Sequence, residues 1–291
     1  MTNQKPELSA ITVGVLPAVA TATLYLAIKE GYFTQQGLTV TPKQLAVSTE
    51  AIPLLLHGTI GISTGNMDTY LAADANGVLP LKILNETALC SPGTLRILTL
   101  PSSGITSAAG LSGKTVATPT AVNIETLALG RLLGSEAKSL HYVVIPFANM
   151  SAALAAGRVN AIATLEPYTS AAEHADGAKS VLDICGGPNA GMPLGGYFTS
   201  ASWAAKYPNT ARAFQTAMNK AQALADSNPA LIRQILPTFM KVTAQVAAKV
   251  QIPQFGTTLD SAAIQEIANL AFTGGEAKHQ ISVTNLLLTQ P

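Results

Sequence analysis

Charge is what this 291-residue sequence has least of: 11% of its residues are Asp, Glu, Lys or Arg, about half the usual share. Seventeen basic residues stand against sixteen acidic ones. That near-balance leaves no electrostatic footprint for nucleic acid. Aromatic residues make up 5%, too few for a base-stacking platform. The two cysteines, Cys90 and Cys185, form no C-x-x-C, so a zinc cluster is not expected. The four histidines (His57, His141, His174 and His279) are scattered without an H-E-x-x-H, and they read as surface or structural residues. No other cofactor is suggested. The uncharged run at residues 8–28 is preceded by no basic cluster and is broken by Gly14 and Pro17. It reads as a buried strand running into a helix rather than a signal peptide or membrane span. A true export signal is expected outside these residues.

Alanine, threonine and glycine are abundant, and the chain is 48% hydrophobic in short runs. "ITVGVLP" (11–17) predicts a buried strand, "ATLYLAIKEGYF" (22–33) a helix and "LTVTP" (38–42) a second strand. "STEAIPLLLHG" (48–58) predicts a helix opened by Ser48 or Thr49 and stopped at Gly58, and "TIGISTG" (59–65) a third strand. The same β-α-β-α-β order returns further on. It runs through "KTVATPT" (114–120), "NIETLALGRLLG" (123–134), "HYVVIP" (141–146), "NMSAALAAG" (149–157) and "RVNAIATLEP" (158–167), with Asn123 and Asn149 as predicted caps.

"GISTG" (61–65) matches the G-x-S-x-G of a hydrolase nucleophile elbow. Aligning Gly58 with Gly157 sets Ser63 opposite Ile162, in mid-strand. A nucleophile needs a strained turn after the strand. Ser63 is therefore expected to be a small residue that lets strands pack closely.

A doubled β-α-β-α-β unit implies two mostly parallel sheets flanked by helices. Ligands bind such sheets beyond the carboxyl ends of the strands. These ends are "PAVAT" (17–21), "TGNM" (64–67), "TPTAVN" (118–123) and "LEPY" (165–168). Two lobes whose strand ends face each other would form a cleft that closes around a solute.

Several segments resemble the substrate-binding proteins of ABC importers in the nitrate, sulfonate and thiamine-precursor group. "VGVLPAVATATLYLAIKEGYFTQQGLTV" is similar to that family's opening strand, ligand loop, helix and "G-F-F…G-L-x-V" signature, with Tyr32 and Phe33 for the two Phe. "LSGKTVATPT" resembles its "L-x-G-K-x-V-A". "NMSAALAAGRVNAIATLEPY" resembles its "D-M-x-A-A-L-x-x-G-x-V-D-A…E-P", with Asn160 for the usual Asp. "IQEIANLAFTGGEAKHQISVTNLL" is similar to its closing helix and tail. The resemblance runs from about residue 10 to 288.

The resemblance implies a two-lobe α/β fold of the type II periplasmic-binding-protein kind, with two crossover strands as hinge. Lobe one would be 1–90 plus 200–291, its C-terminal third helical; lobe two would be 91–199. In that third, Phe214, Met218, Ala221 and Ala225, and likewise Ile264, Ile267 and Phe272, read as core stripes. Gly195 and Gly196 either free the backbone at the return crossover or turn the chain. Cys90 and Cys185 would lie near the hinge; a disulfide and two buried thiols both remain open.

Within that wiring, the expected ligand contacts are Ala18, Val19, Ala20, Thr21, Gly65, Asn66, Met67, Thr120, Ala121, Val122, Asn123, Glu166, Tyr168 and Tyr197. Asn66 and Asn123 are equally readable as helix caps, and Glu166 as a structural acceptor. The expected function is an extracytoplasmic solute-binding protein, periplasmic or lipid-anchored, monomeric, serving an ABC permease and performing no catalysis. The strand-end loops hold no Lys or Arg, and Arg96 is the basic residue nearest the first crossover. Glu166 is their only formal charge, so a neutral or nitrogen-bearing solute, such as a pyrimidine-like one, is favoured over sulfonate or nitrate. The alternative is an enzyme on the same fold, a menaquinone-pathway-type lyase using Glu166. A thiamine-pyrimidine synthase would need a Cys-rich segment and a histidine that the sequence lacks. A sensor domain would bring a helix-turn-helix or kinase segment, and none is present.

Overall fold

A computed structural model describes residues 5–288. The strands are β1 (Ala10–Val15), β2 (Thr39–Gln44), β3 (Ile62–Asn66), β4 (Leu81–Glu86), β5 (Leu95–Thr99), β6 (Thr115–Thr118), β7 (His141–Val144), β8 (Ala161–Leu165), β9 (Lys179–Asp183) and β10 (Gly195–Ser200). In the first two thirds the helices are α1 (Ala22–Lys29), α2 (Tyr32–Gln35), α3 (Ala51–Leu56), α4 (Met67–Ala75), α5 (Ile124–Leu133), α6 (Phe147–Ala155) and α7 (Tyr168–Asp176). The remainder adds α8 (Ala201–Lys206), α9 (Pro208–Ser227), α10 (Pro229–Phe239), α11 (Ala244–Lys249) and α12 (Ser261–Thr273). Residues 8–28 thus form a strand, a 3-10 turn and a helix. Among the described residues no helix is long and apolar enough to cross a membrane.

The chain divides into two compact units. The first comprises Met1–Leu89, Pro193–Ile235 and Gln254–Pro291; the second comprises Cys90–Met192 and Leu236–Pro253. Residues 1–4 and 289–291, counted with lobe one in the sequence reading, lie outside the described residues. The sequence reading also gave the whole C-terminal third to the first lobe, whereas Leu236–Pro253 belongs with the second unit. There α11 packs on α7 and buries Val246 and Ala247.

Each unit holds one five-stranded sheet, and the two are wired alike: β2-β1-β3-β10-β4 in the first, β7-β6-β8-β5-β9 in the second. In each, the fourth strand runs antiparallel to both neighbours, so four strands share one direction. Equivalent glycines stop the helices before β3 and β8: Gly58 with φ 68° and Gly157 with φ 67°. That left-handed conformation is one glycine adopts without a Cβ penalty. Register agrees with the repeat. Ser63 pairs with Gly14 of β1, and Ile162 pairs with Ala117 of β6.

Apolar alternation builds the first core. Ile11, Val13 and Val15 of β1 turn inward beside Leu24, Phe33, Ile62 and Leu84. Phe214 of α9 stacks on Phe33 at 5.3 Å, and Met218 and Ala221 extend that stripe. Each such fully buried side chain contributes about 1.5–3 kcal/mol. Ile264 and Ile267 are likewise buried, but Phe272 is 36% exposed and leaves the stripe. The second core gathers Leu98, Ala117, Met150, Leu154, Val159 and Ile162. Within that unit Cys90 and Cys185 form a disulfide.

Gly195 and Gly196 neither turn the chain nor free it. They lie inside β10, opposite Asn66 and Gly65 of β3. A Cβ on Gly195 would collide with the Gly65 carbonyl oxygen, and one on Gly196 would lie 2.9 Å from the Asn85 carbonyl oxygen.

Candidate functional site

In the first unit the carboxyl ends of β1 and β3 are bound together. The Leu16 N–H donates to Thr64 Oγ1 at 2.9 Å. The Thr21 hydroxyl reaches back to the carbonyls of Leu16 (2.9 Å) and Ala18 (2.8 Å). This folds "PAVAT" into the 3-10 turn Val19–Thr21 that leads into α1. Val19 and Thr21 are buried, so Ala18 and Ala20 are the half-buried side chains this loop presents.

Asn66 occupies the N-cap position of α4 in extended conformation, yet its side chain makes no cap hydrogen bond. Its N–H donates to Ser48 Oγ at 3.0 Å, and the Met67 N–H donates to the Leu194 carbonyl at 3.2 Å. The Asn66 carboxamide is therefore open to other partners, while Met67 is wholly buried. Gly65 is a packing glycine, because a Cβ there would run into the Tyr70 ring. Tyr197 does not reach a strand-end loop. It is 0% exposed in mid-β10, edge-on to Phe214 at 5.3 Å, with its hydroxyl against that of Thr23.

The second unit repeats the arrangement after β6 and β8. Asn123 caps α5: its Oδ1 accepts from the Thr126 N–H at 2.9 Å, and its own N–H donates to Thr126 Oγ1 at 3.0 Å. Its Nδ2 donates to the Thr120 carbonyl at 2.9 Å, and the residue is 1% exposed. This reciprocal capping leaves Thr120, Ala121 and Val122 as the exposed part of the loop. Asn149 caps nothing, because α6 already begins at Phe147.

Glu166 is engaged inside the unit. Its carboxylate accepts from the Ser170 N–H (3.2 Å), the Ser170 hydroxyl (2.9 Å) and the Gln251 N–H (3.2 Å), and it lies 3.5 Å from Arg96 Nη2. Arg96 is itself paired with Glu173 at 2.9 Å. Burial pushes the Glu166 carboxyl above the usual carboxylate range, opposed by those hydrogen bonds and by the Arg96 charge. The one formal charge that sequence reading placed in these loops is thus met internally.

Tyr168 opens α7, and its ring stacks on Phe147 at 5.6 Å with planes 15° apart. Phe147, at the start of α6, was not among the sequence candidates, and neither was Ser48. Both follow strands β7 and β2, whose ends the reading skipped. Had every parallel strand end been counted, "PF" at 146–147 and "VS" at 47–48 would have been found.

Ser63 is 0% exposed in mid-β3 and donates to the Thr64 carbonyl at 2.9 Å. A serine nucleophile needs a base within reach and an exposed hydroxyl. Among the described residues no group of three or more His, Cys, Asp or Glu is placed to hold a metal ion. A cavity of about 410 Å³ in the first unit, beside the end of β4, is lined by Asn85, Gln215, Asn219, Thr257 and leucines. No candidate residue lines it. The Gln215 amide is tied to the Leu84 and Leu288 carbonyls, and Asn85 Nδ2 to Asn219.

The architecture is shared with solved structures along nearly the whole chain. The alkanesulfonate-binding protein of Xanthomonas axonopodis pv. citri is 21% identical, with TM-score 0.79 over 97% of this chain and 98% of its own. A ligand-binding component of an ABC-type import system from Staphylococcus aureus is 14% identical, with TM-score 0.80 over 96% of each chain. The periplasmic nitrate-binding protein of Synechocystis PCC 6803 is 16% identical, with TM-score 0.76 over 94% of this chain and 83% of its own. At such identities the likeness shows the fold, which is that of the periplasmic binding proteins. No protein of curated function matches the sequence. The family described as NMT1/THI5 like matches residues 19–231, from the first strand-end loop to α10. With that span covering most of both sheets, the chain belongs to the NMT1/THI5-like family.

Proposed function

We propose that this protein is an extracytoplasmic solute-binding protein that captures a small organic molecule at its strand-end loops and delivers it to the permease of an ABC importer. The observation that carries this reading is the repeated wiring. Two units with equivalent sheet orders each end their parallel strands in loops that run into helix N-termini, the usual ligand end of such sheets. Proteins of the same fold described as sulfonate-binding, nitrate-binding and part of an ABC-type import system support it. A lyase acting through Glu166 is disfavoured, because that carboxylate already holds three donors and a cation.

The solute is a neutral or nitrogen-bearing organic molecule. Glu166, balanced by Arg96, no longer argues for a cation. The support is instead that the four loops carry no Lys or Arg, and that donors an anion would seek at the helix starts are already engaged. Those donors are the N–H groups of Asn66, Met67, Thr126 and Ser170. The Phe147–Tyr168 pair offers a flat face, and Val122 adds an exposed apolar contact.

A thermal-shift screen of small solutes tests the reading. A true solute at 100 times its Kd should stabilise the fold by about 2.7 kcal/mol. Chemical conversion of the hit by the pure protein would overturn it. Calorimetric competition between alkylsulfonates and pyrimidines or amines decides the class; tight sulfonate binding with no response to the nitrogenous set would refute the preference.

A further inference from the structure

The Glu166 carboxylate joins its own segment to a residue 85 positions further along the chain. One is the first turn of α7, through the Ser170 N–H and hydroxyl at 3.2 and 2.9 Å. That turn begins with Tyr168, the ring stacked on Phe147. The other is Gln251, whose N–H donates at 3.2 Å. Gln251 stands two residues before Pro253, where the chain leaves the second unit for the last time. Three residues further on, the Gln254 carbonyl accepts from the Leu89 N–H at 2.9 Å, so the carboxylate fixes the departing chain just before that bond. Arg96 Nη2 at 3.5 Å keeps the carboxylate in place, and Glu173 holds Arg96 from the other side at 2.9 Å.

We propose that Glu166 is a positioning residue that couples Tyr168, at the solute edge, to the departing chain at Gln251. The physical basis is the stiffness of a buried acceptor with several donors. A displacement of the first turn of α7 moves Ser170, and Ser170 holds two of the bonds to the carboxylate. The carboxylate cannot follow without lengthening its bond to Gln251 or leaving Arg96. Contact with the Tyr168 ring therefore changes how firmly the chain is held where it leaves the second unit. This inference rests on the strand ends being the solute edge, but its test needs no solute.

The measurement is backbone amide hydrogen exchange at Gln251 in the full chain, read residue by residue by NMR. Glu166→Ala should speed exchange there by roughly ten- to a hundredfold, the change that loss of a bond to a charged acceptor produces. Tyr168→Ala should speed it by roughly fivefold in the wild-type background and by less than about twofold when Glu166 is already replaced, the signature of coupled sites. Glu166→Gln, of the same size, carries the same cycle if Glu166→Ala fails to fold. Equal acceleration by Tyr168→Ala in both backgrounds, or none in the wild type, would refute the coupling. A null solute screen with the cycle intact would instead sink the binding reading and leave the tie standing.

Discussion

Ser63 fills the space that Gly14 leaves open. The two pair across β1 and β3, and a Cβ on Gly14 would stand 2.7 Å from Ser63 Oγ, 2.7 Å from Leu45 Cδ1 and 3.0 Å from Ile60 Cδ1. Small residues at both positions let the strands and the helix layer close up. The G-x-S-x-G run is a consequence of packing, not a reaction centre.

Gly14→Ala should therefore destabilise the protein by about 1–3 kcal/mol, as inserted methyl groups do in close-packed interiors. Ser63→Ala inserts no atom; it removes the hydroxyl's bond to the Thr64 carbonyl at 2.9 Å, a longer one to the Gly14 carbonyl at 3.4 Å and its contact with the Tyr70 hydroxyl, and should cost about 1 kcal/mol. Denaturant unfolding of both variants checks the order; a larger loss for Ser63→Ala would contradict this account.

Stability should fall as pH rises from about 4.5 through neutrality and on to about 9. Glu276 is half-buried with its side chain against that of Asp68, and burial and that neighbouring carboxyl both push its pKa far above the usual carboxylate range. Burial also pushes Glu86 up to about 7, opposed by the bond from the Asp260 N–H. A folded-state pKa above the unfolded one means that folding retains a proton. This contribution is complete below pH 4.5, and it is lost as pH passes about 7 for Glu86 and higher still for Glu276. Glu276→Gln keeps a donor beside Asp68 and should flatten the alkaline part of the profile. Melting curves across pH that decline equally steeply in both proteins would refute the assignment.

Intact mass under non-reducing, denaturing conditions should find no free thiol, because Cys90 and Cys185 are bonded. The bond closes a loop of 95 residues, for which the chain-entropy treatment gives about 4–5 kcal/mol. Cys185→Ser with Cys90→Ser should lower the unfolding midpoint accordingly.

Phe147→Ala and Tyr168→Ala should each weaken solute binding by roughly three- to tenfold, the scale of one aromatic contact. Tyr197→Phe should leave affinity unchanged, since that ring lies wholly in the core. Calorimetry with the hit from the solute screen measures all three; loss of affinity only in the Tyr197 variant would reverse the assignment.

The repeated strand–helix order was legible because it is written in local signals: short apolar runs, helix-stopping glycines and the Asn123 cap. The fates of Tyr197 and Glu166 were not. Tyr197 sits in a run that reads as exposed crossover, and only the pairing of β10 with β3 and β4 turns its ring into the core. Glu166 reads equally as a ligand partner and as a structural acceptor, and its partners Arg96 and Gln251 could not be named because they are remote in sequence. For the same reason Leu236–Pro253 was assigned to the wrong unit: its apolar face matches α7, and no local pattern reveals a partner that far away.

The interleaving of the two units has a consequence for synthesis. Neither unit is a continuous piece of chain. As the polypeptide emerges from the ribosome, β3 waits for β10, and Glu166 waits 85 residues for Gln251. The Leu8 N–H meets its acceptor, Thr210, only 202 residues later. The second sheet has all its strands once Asp183 has emerged, but the first lacks β10 and the Glu166 tie lacks Gln251 until the last third has appeared, so a product truncated before β10 would not retain one finished unit beside one missing unit. Both would be left incomplete.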